Sequence, residues 1–148
     1  MKFHFWHTFL TLFFVALVVL ALSALAAMGR LSTWIPLADF VLMALAVQRL
    51  TRLATYDSIT QFVRDWFKGA DPESFLGTLG TLINCPWCTG MWFALVVVFF
   101  YFLDSVFWYI ILMLALSSAA SILQLLANWL GWAAEAKKRE ANQIALPR

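Results

Sequence analysis

Two cysteines, Cys85 and Cys88, stand in C-x-x-C spacing within the run N-C-P-W-C-T-G-M-W (Asn84 to Trp92), and the chain has no others. Three kinds of chemistry or structure use such a pair. A dithiol at a helix start can cycle between thiol and disulfide, because the helix dipole favours the thiolate. Dithiol oxidoreductases carry the motif on a βαβ scaffold, however, and no such pattern occurs here. Two thiolates can also supply half of a tetrahedral zinc site, which then needs two more ligands. His4 and His7, spaced H-x-x-H and so one helical turn apart, are the only histidines and would complete a Cys₂His₂ set. In the third, structural, role Pro86 suits the first turn of a helix and Gly90 permits close packing. The spacing alone leaves all three open.

A second group of chemical residues lies upstream. Arg49 and Arg52 are one helical turn apart and leave a helix on the same face. Asp57 follows closely, and a carboxylate fits the forked donors of two guanidinium groups. These three residues are expected to pack beside Cys85-Pro86-Trp87-Cys88, where their positive surplus would favour thiolate. As catalytic machinery the set is thin, since a nucleophile needs a base and an orienting group and the histidines lie at the far N-terminus.

The elements that position these residues follow from composition. Hydrophobic residues make up 64% of the 148 and charged residues only 12%, against roughly 45–50% and about 25% for an ordinary soluble domain. Such a chain has too little polar surface to cover itself in water, and a bilayer removes that need. A net charge of +2 without a basic stripe gives no reason to expect nucleic acid. The reading is a single membrane domain, 1–148: an all-α integral membrane protein with four transmembrane helices plus a short cytoplasmic-side amphipathic helix.

The spans are placed at about 6–28, 34–53, 87–103 and 106–127. The first contains no charged residue and exceeds both the ~20 residues that span a bilayer and the apolar core of a cleavable signal. The second begins near Trp34 and Pro36 and carries Asp39, Gln48, Arg49 and Arg52. Arg49 and Arg52 can snorkel to the surface, whereas Asp39 needs a polar partner or an interfacial position. The run from Met91 to Ala127 is too long for one crossing, and Leu103-Asp104-Ser105 is its one polar turning point. Between the second and third spans, Ile59, Phe62, Val63, Trp66 and Phe67 recur at helical period over 58–68, opposite Gln61, Arg64, Asp65 and Lys68. This amphipathic helix is expected to place its aromatic face on the interface or the bundle and its charges in water. Residues 75–83 are too short to cross, and a charged tail occupies 133–148.

Orientation follows from the basic residues. In a four-span arrangement Lys2, Arg49, Arg52, Arg64, Lys68, Lys137, Lys138, Arg139 and Arg148 share one side and Arg30 is alone on the other. Basic flanks stay cytoplasmic. Both termini and the C-x-x-C motif are therefore expected on the cytoplasmic side of a bacterial inner membrane, where a structural disulfide is disfavoured.

The run Q-R-L-T-R-L-A-T-Y-D-S-I-T (Gln48 to Thr60), followed by C-P-W-C-T-G-M-W, resembles a domain-of-unknown-function family of small bacterial and phage membrane proteins that includes a sporulation membrane protein of spore-formers. Its pattern of Arg-Leu-x-Arg-Leu, Tyr-Asp and Cys-Pro-aromatic-Cys-x-Gly-x-Trp falls here on Arg49, Arg52, Tyr56, Asp57, Cys85, Pro86, Trp87, Cys88, Gly90 and Trp92. The resemblance implies a membrane protein and no particular activity. The functional expectation is a non-enzymatic scaffold or interaction protein whose partners are the lipid bilayer and a second copy or another membrane protein. The alternatives are a thiol-redox or zinc-binding membrane protein, zinc being the one candidate cofactor, and a phage-type pore-forming or lysis-associated protein.

Overall fold

The computed structural model describes the backbone of residues 2–145 and the side chains of residues 5–141. The described residues form no strand. They run as α1 (Lys2–Ala27), α2 (Leu37–Thr55), a 3₁₀ turn (Ser58–Thr60), α3 (Gln61–Asp65), α4 (Phe75–Ile83), α5 (Pro86–Leu103) and α6 (Val106–Ala145). Local chemistry sets the boundaries. Pro36, with φ −56°, precedes α2 and its carbonyl accepts the Phe40 amide at 3.0 Å. Ser74 caps α4 by accepting the Gly77 amide at 3.0 Å. Between α5 and α6 the backbone of Asp104 is extended, and its carboxylate accepts the Val106 amide at 2.9 Å. A side-chain acceptor of this kind makes the turn without Gly or Pro.

The helix α2 is the centre of the bundle, packed along both α5 and α6. Asp39 near its start meets Tyr101 near the end of α5 and Trp108 near the start of α6. Farther along, Gln48 accepts a hydrogen bond from Ser118, and Thr51 lies against Gly90. These pairings make α2 antiparallel to α5 and parallel to α6. Between them Met43, Ala46, Val97 and Ile111 form the buried core, flanked by Leu42, Val47, Leu50 and Leu114. The helix α1 packs parallel to α5, with Phe13 and Phe14 against Trp92 at ring separations of 6.2 and 5.0 Å. The outward faces are covered with Phe, Leu, Val and Met.

Three of these helices are long and apolar enough to cross a membrane: 5–27, 86–103 and 106–141. The sequence reading counts four on apolar length; as a correction, α2 does not qualify on length and apolarity alone. The helix α2 has 19 residues, enough for a crossing, but Asp39, Arg49 and Arg52 lower its apolarity below that of the others. A second correction concerns 58–68, which is not one amphipathic helix. It breaks into the 3₁₀ turn, the five residues of α3 and a series of turns ending at Gly69. Asp57 makes no side-chain cap for this segment, its carboxylate being paired with Arg49 instead.

The last helix also departs from the expected division into span and tail. It is continuous for 40 residues, about 60 Å at 1.5 Å per residue. From Ile122 to Ala141 every residue is exposed, because α2 ends at Thr55 and no other described residue covers this stretch. Alanine at 133, 134, 136 and 141 carries the helix onward by intrinsic propensity. Residues 146–148 of the expected tail lie outside the described residues.

Ser118 is fully buried between α2 and α6. Ser118→Ala is expected to cost about 1 kcal/mol, the usual worth of an interhelical hydrogen bond in apolar surroundings. Ser118→Leu should cost more, about 1–3 kcal/mol from overpacking. Thermal unfolding in detergent measures both, and a Leu variant as stable as wild type would mean the two helices are not in close contact there.

Candidate functional site

A helix end leaves carbonyls without partners, and the chain after α2 is folded to supply them. The Arg52 carbonyl accepts the amides of Tyr56 and Asp57 at 2.9 and 3.1 Å. The Leu53 carbonyl accepts the Thr60 hydroxyl. Arg64 then closes the turn: Nη1 donates to the Ala54 carbonyl and Thr60 Oγ1, both at 2.9 Å, and Nη2 donates to the Asp57 carbonyl at 2.8 Å. A planar fork of donors suits this task, and a lysine could not reproduce it. The sequence reading places Arg64 on a water-facing surface; the unsatisfied carbonyls of α2 draw it inward instead.

Asp57 binds one arginine rather than two. Its Oδ2 lies 3.1 Å from Arg49 Nη1, with the two side chains about one-quarter exposed. No ion pair to Arg52 occurs among the described residues, and Arg52 Nε is buried without a hydrogen-bond partner. The Asp57 amide is tied to the Arg52 carbonyl, so the chain doubles back and brings the carboxylate to Arg49, a turn earlier. The guanidinium that shares a cavity with Cys85 is that of Arg64, not those of Arg49 and Arg52.

That cavity, of about 620 Å³, lies between the turns after α3 and the helix α4, and Arg64, Lys68, Thr81, Asn84 and Cys85 are among its lining residues. Two glycines let its walls meet. A Cβ at Gly77 would run into the Asp71 carbonyl, and one at Gly80 would lie 2.9 Å from Phe67 Cβ. Cys85 caps α5, its Sγ accepting the Cys88 amide at 3.4 Å, and Pro86 takes the first helical position. Both cysteines are free thiols. Hydrogen bonding from the Cys88 side chain, then from the Cys88 amide, holds the Cys85 thiol below its ordinary range despite opposition from burial.

The remaining residues singled out in the sequence scatter. Tyr56 is exposed. Gly90 faces Thr51, and Trp92 packs on α1. His7 lies in the second turn of α1, beside the Trp6 ring that packs on Phe75 at 5.2 Å. The His4 side chain is outside the described residues, and among the described residues no group of three His, Cys, Asp or Glu comes together.

Fold and site together define a small all-helical protein with three membrane-length apolar helices, two of them packed on a more polar fourth, capped at one end by a cysteine-lined cavity. The chain belongs to the family described as a protein of unknown function (DUF1360), which matches residues 42–127. It is 33% identical over 97 residues to the UPF0713 protein YngL of Bacillus subtilis, covering 57% of this chain and 75% of that one. It is 34% identical over 108 residues to the sporulation protein YjcA of the same organism, covering 61% and 92%. No solved structure matches.

Two outcomes test the site. Cys88→Ala removes the thiol that steadies the Cys85 thiolate, so the pH profile of Cys85 alkylation should move to higher pH; an unmoved profile would show the thiol to be irrelevant. Arg64→Ala should destabilise the turn after α2 by about 2 kcal/mol, the range for hydrogen bonds from a charged donor. Hydrogen exchange at the amides of Tyr56 and Asp57 would then quicken, while exchange in the core of α5 stays slow.

Proposed function

We propose that this is a four-pass, non-enzymatic protein of the bacterial cytoplasmic membrane, a scaffold that presents the segment 56–85 to a second copy or another membrane protein. The observation that carries the reading is the register of α2 on α5. Asp39 stands opposite Tyr101 and Thr51 opposite Gly90. Twelve residues of one helix therefore match eleven of the other, about 18 Å against about 17 Å at 1.5 Å per residue. Where α5 crosses a membrane, α2 crosses beside it, its polar groups turned toward protein rather than lipid.

Charge supports the orientation. Arg49, Arg52, Arg64 and Lys68 lie at the end where α2 finishes and α5 begins, and Lys137, Lys138 and Arg139 follow beyond it on the exposed continuation of α6. Arg30 is at the other. Such a bias keeps the rich end cytoplasmic. Trp66 and Trp87, both largely exposed at that end, suit the headgroup layer.

The cavity chemistry favours a scaffold over an enzyme. Thr81 and Asn84 spend their donors on the Gly77 and Gly80 carbonyls, at 3.0 and 2.8 Å. Among the described residues the charged groups lining the cavity with Cys85 are Arg64 and Lys68, and Lys68 is paired with Asp65 at 2.6 Å.

Single cysteines at 31 and 71, in a Cys85→Ser, Cys88→Ser background, test the arrangement in intact cells with an impermeant maleimide. Leu31→Cys should label from outside, and Asp71→Cys only after permeabilisation. Equal labelling of both would mean that α2 does not cross. The opposite pattern would overturn the cytoplasmic assignment.

A further inference from the structure

At the end of the bundle away from Cys85, the carboxylate of Asp39 is gripped by two aromatic donors. Tyr101 Oη donates to Oδ2 at 2.6 Å and Trp108 Nε1 donates to Oδ1 at 3.1 Å. Both oxygens accept, as the lone pairs of a carboxylate allow. The ion pairs among the described residues are Arg49–Asp57, Lys68–Asp65 and Arg139–Glu135, so none of them neutralises Asp39. The first turn of α2 offers its dipole. With donors and a dipole but no ion pair among the described residues, the carboxylate's field extends beyond its two partners.

That field reaches a cavity. Tyr101 and Trp108 line a space of about 430 Å³ together with Trp34, Phe102 and Tyr109, and the serines at 32 and 105 also face it. Aromatic rings attract cations through their quadrupole. A phenol or indole that donates its proton to a carboxylate becomes more electron-rich, which strengthens that attraction, and the carboxylate adds a direct Coulomb term behind the ring. The same arrangement repels anions. The volume is that of a small-molecule site rather than a bare ion, and the serine hydroxyls offer acceptors to N–H donors.

We propose that this aromatic cavity over Asp39 binds an organic ammonium group. Two sources carry that chemistry, the ammonium headgroup of a phosphatidylethanolamine and a free amine.

The test uses the full chain with ¹⁵N-labelled tryptophan, following the Trp108 indole resonance, which Trp108→Phe identifies by its loss. Ethanolamine is titrated into protein in nonionic detergent, with ethylene glycol as the uncharged control. In parallel, nanodiscs of phosphatidylethanolamine and phosphatidylglycerol are compared with nanodiscs of phosphatidylglycerol alone. A saturable shift with ethanolamine identifies a free amine as sufficient, and a shift confined to the phosphatidylethanolamine discs identifies the lipid headgroup. Asp39→Asn should weaken the response about tenfold, the scale of a partly desolvated cation–π and Coulomb contact. Because Asp39 also joins three helices, Trp34→Leu provides the second variant: this indole is 80% exposed, so its loss should weaken the response severalfold with the unfolding temperature unchanged. No saturable shift in either arm overturns the proposal. An equal shift with ethylene glycol, or a response unaffected by both variants, also overturns it.

Discussion

Polar side chains on an otherwise apolar helix must find partners, and in α2 that requirement organises the bundle. Asp39 and Gln48 would each be costly if left facing hydrocarbon. Each is instead answered by a hydroxyl or indole on a neighbouring helix: Tyr101 on α5, Trp108 and Ser118 on α6. Apolar packing between helices tolerates sliding by a turn, since one leucine resembles the next. A hydrogen bond does not tolerate it. The polar contacts therefore set which residues of α5 and α6 face α2, and the Met43, Ala46, Val97 and Ile111 core follows from that alignment. Ala46, with no exposed surface, is a small residue that lets the helices pack closely there.

The two ends of α2 solve opposite problems. At the start, unpaired amides and a positive dipole favour a carboxylate, and Asp39 occupies the first turn. At the finish, unpaired carbonyls favour cations and donors, which Arg64 and Thr60 supply from the segment that follows. This second solution builds the cap. Once Arg64 is anchored under α2, the turns through Gly69 are carried toward α4, and the cavity beside Cys85 forms between them. A cation that stabilises a helix end thus also lines the cavity that the motif's first thiol enters.

The part of the chain matched by the family, 42–127, covers most of this polar-linked assembly, namely α2 from Leu42 on, the cap, α5 and the half of α6 that packs on α2, with Asp39 just outside it. The helix α1 and the exposed continuation of α6 lie outside it. The attachment of α1 is of a different kind, aromatic and apolar, and the described far part of α6, 122–141, is exposed throughout.

Much was legible in the sequence because it depends on local physics. Apolar run length identifies α1, α5 and α6; Asp104 interrupts the long run because its carboxylate caps the next helix; Pro86 opens α5 because its ring suits a first turn. The nearness of Arg49 to Asp57 also follows from a short connection. The sequence could not decide what depends on register between distant segments. Asp39 meets partners 62 and 69 residues away, and its neighbours in the chain do not say which turn of α5 or α6 will lie opposite. Arg64 shows the same limit at shorter range. Its position on the polar face of a periodic stretch predicts exposure, yet the orphan carbonyls at the end of α2 turn it inward and break the expected helix. Periodicity records which face a residue would take on an isolated helix; only the tertiary structure shows which buried groups still lack a partner.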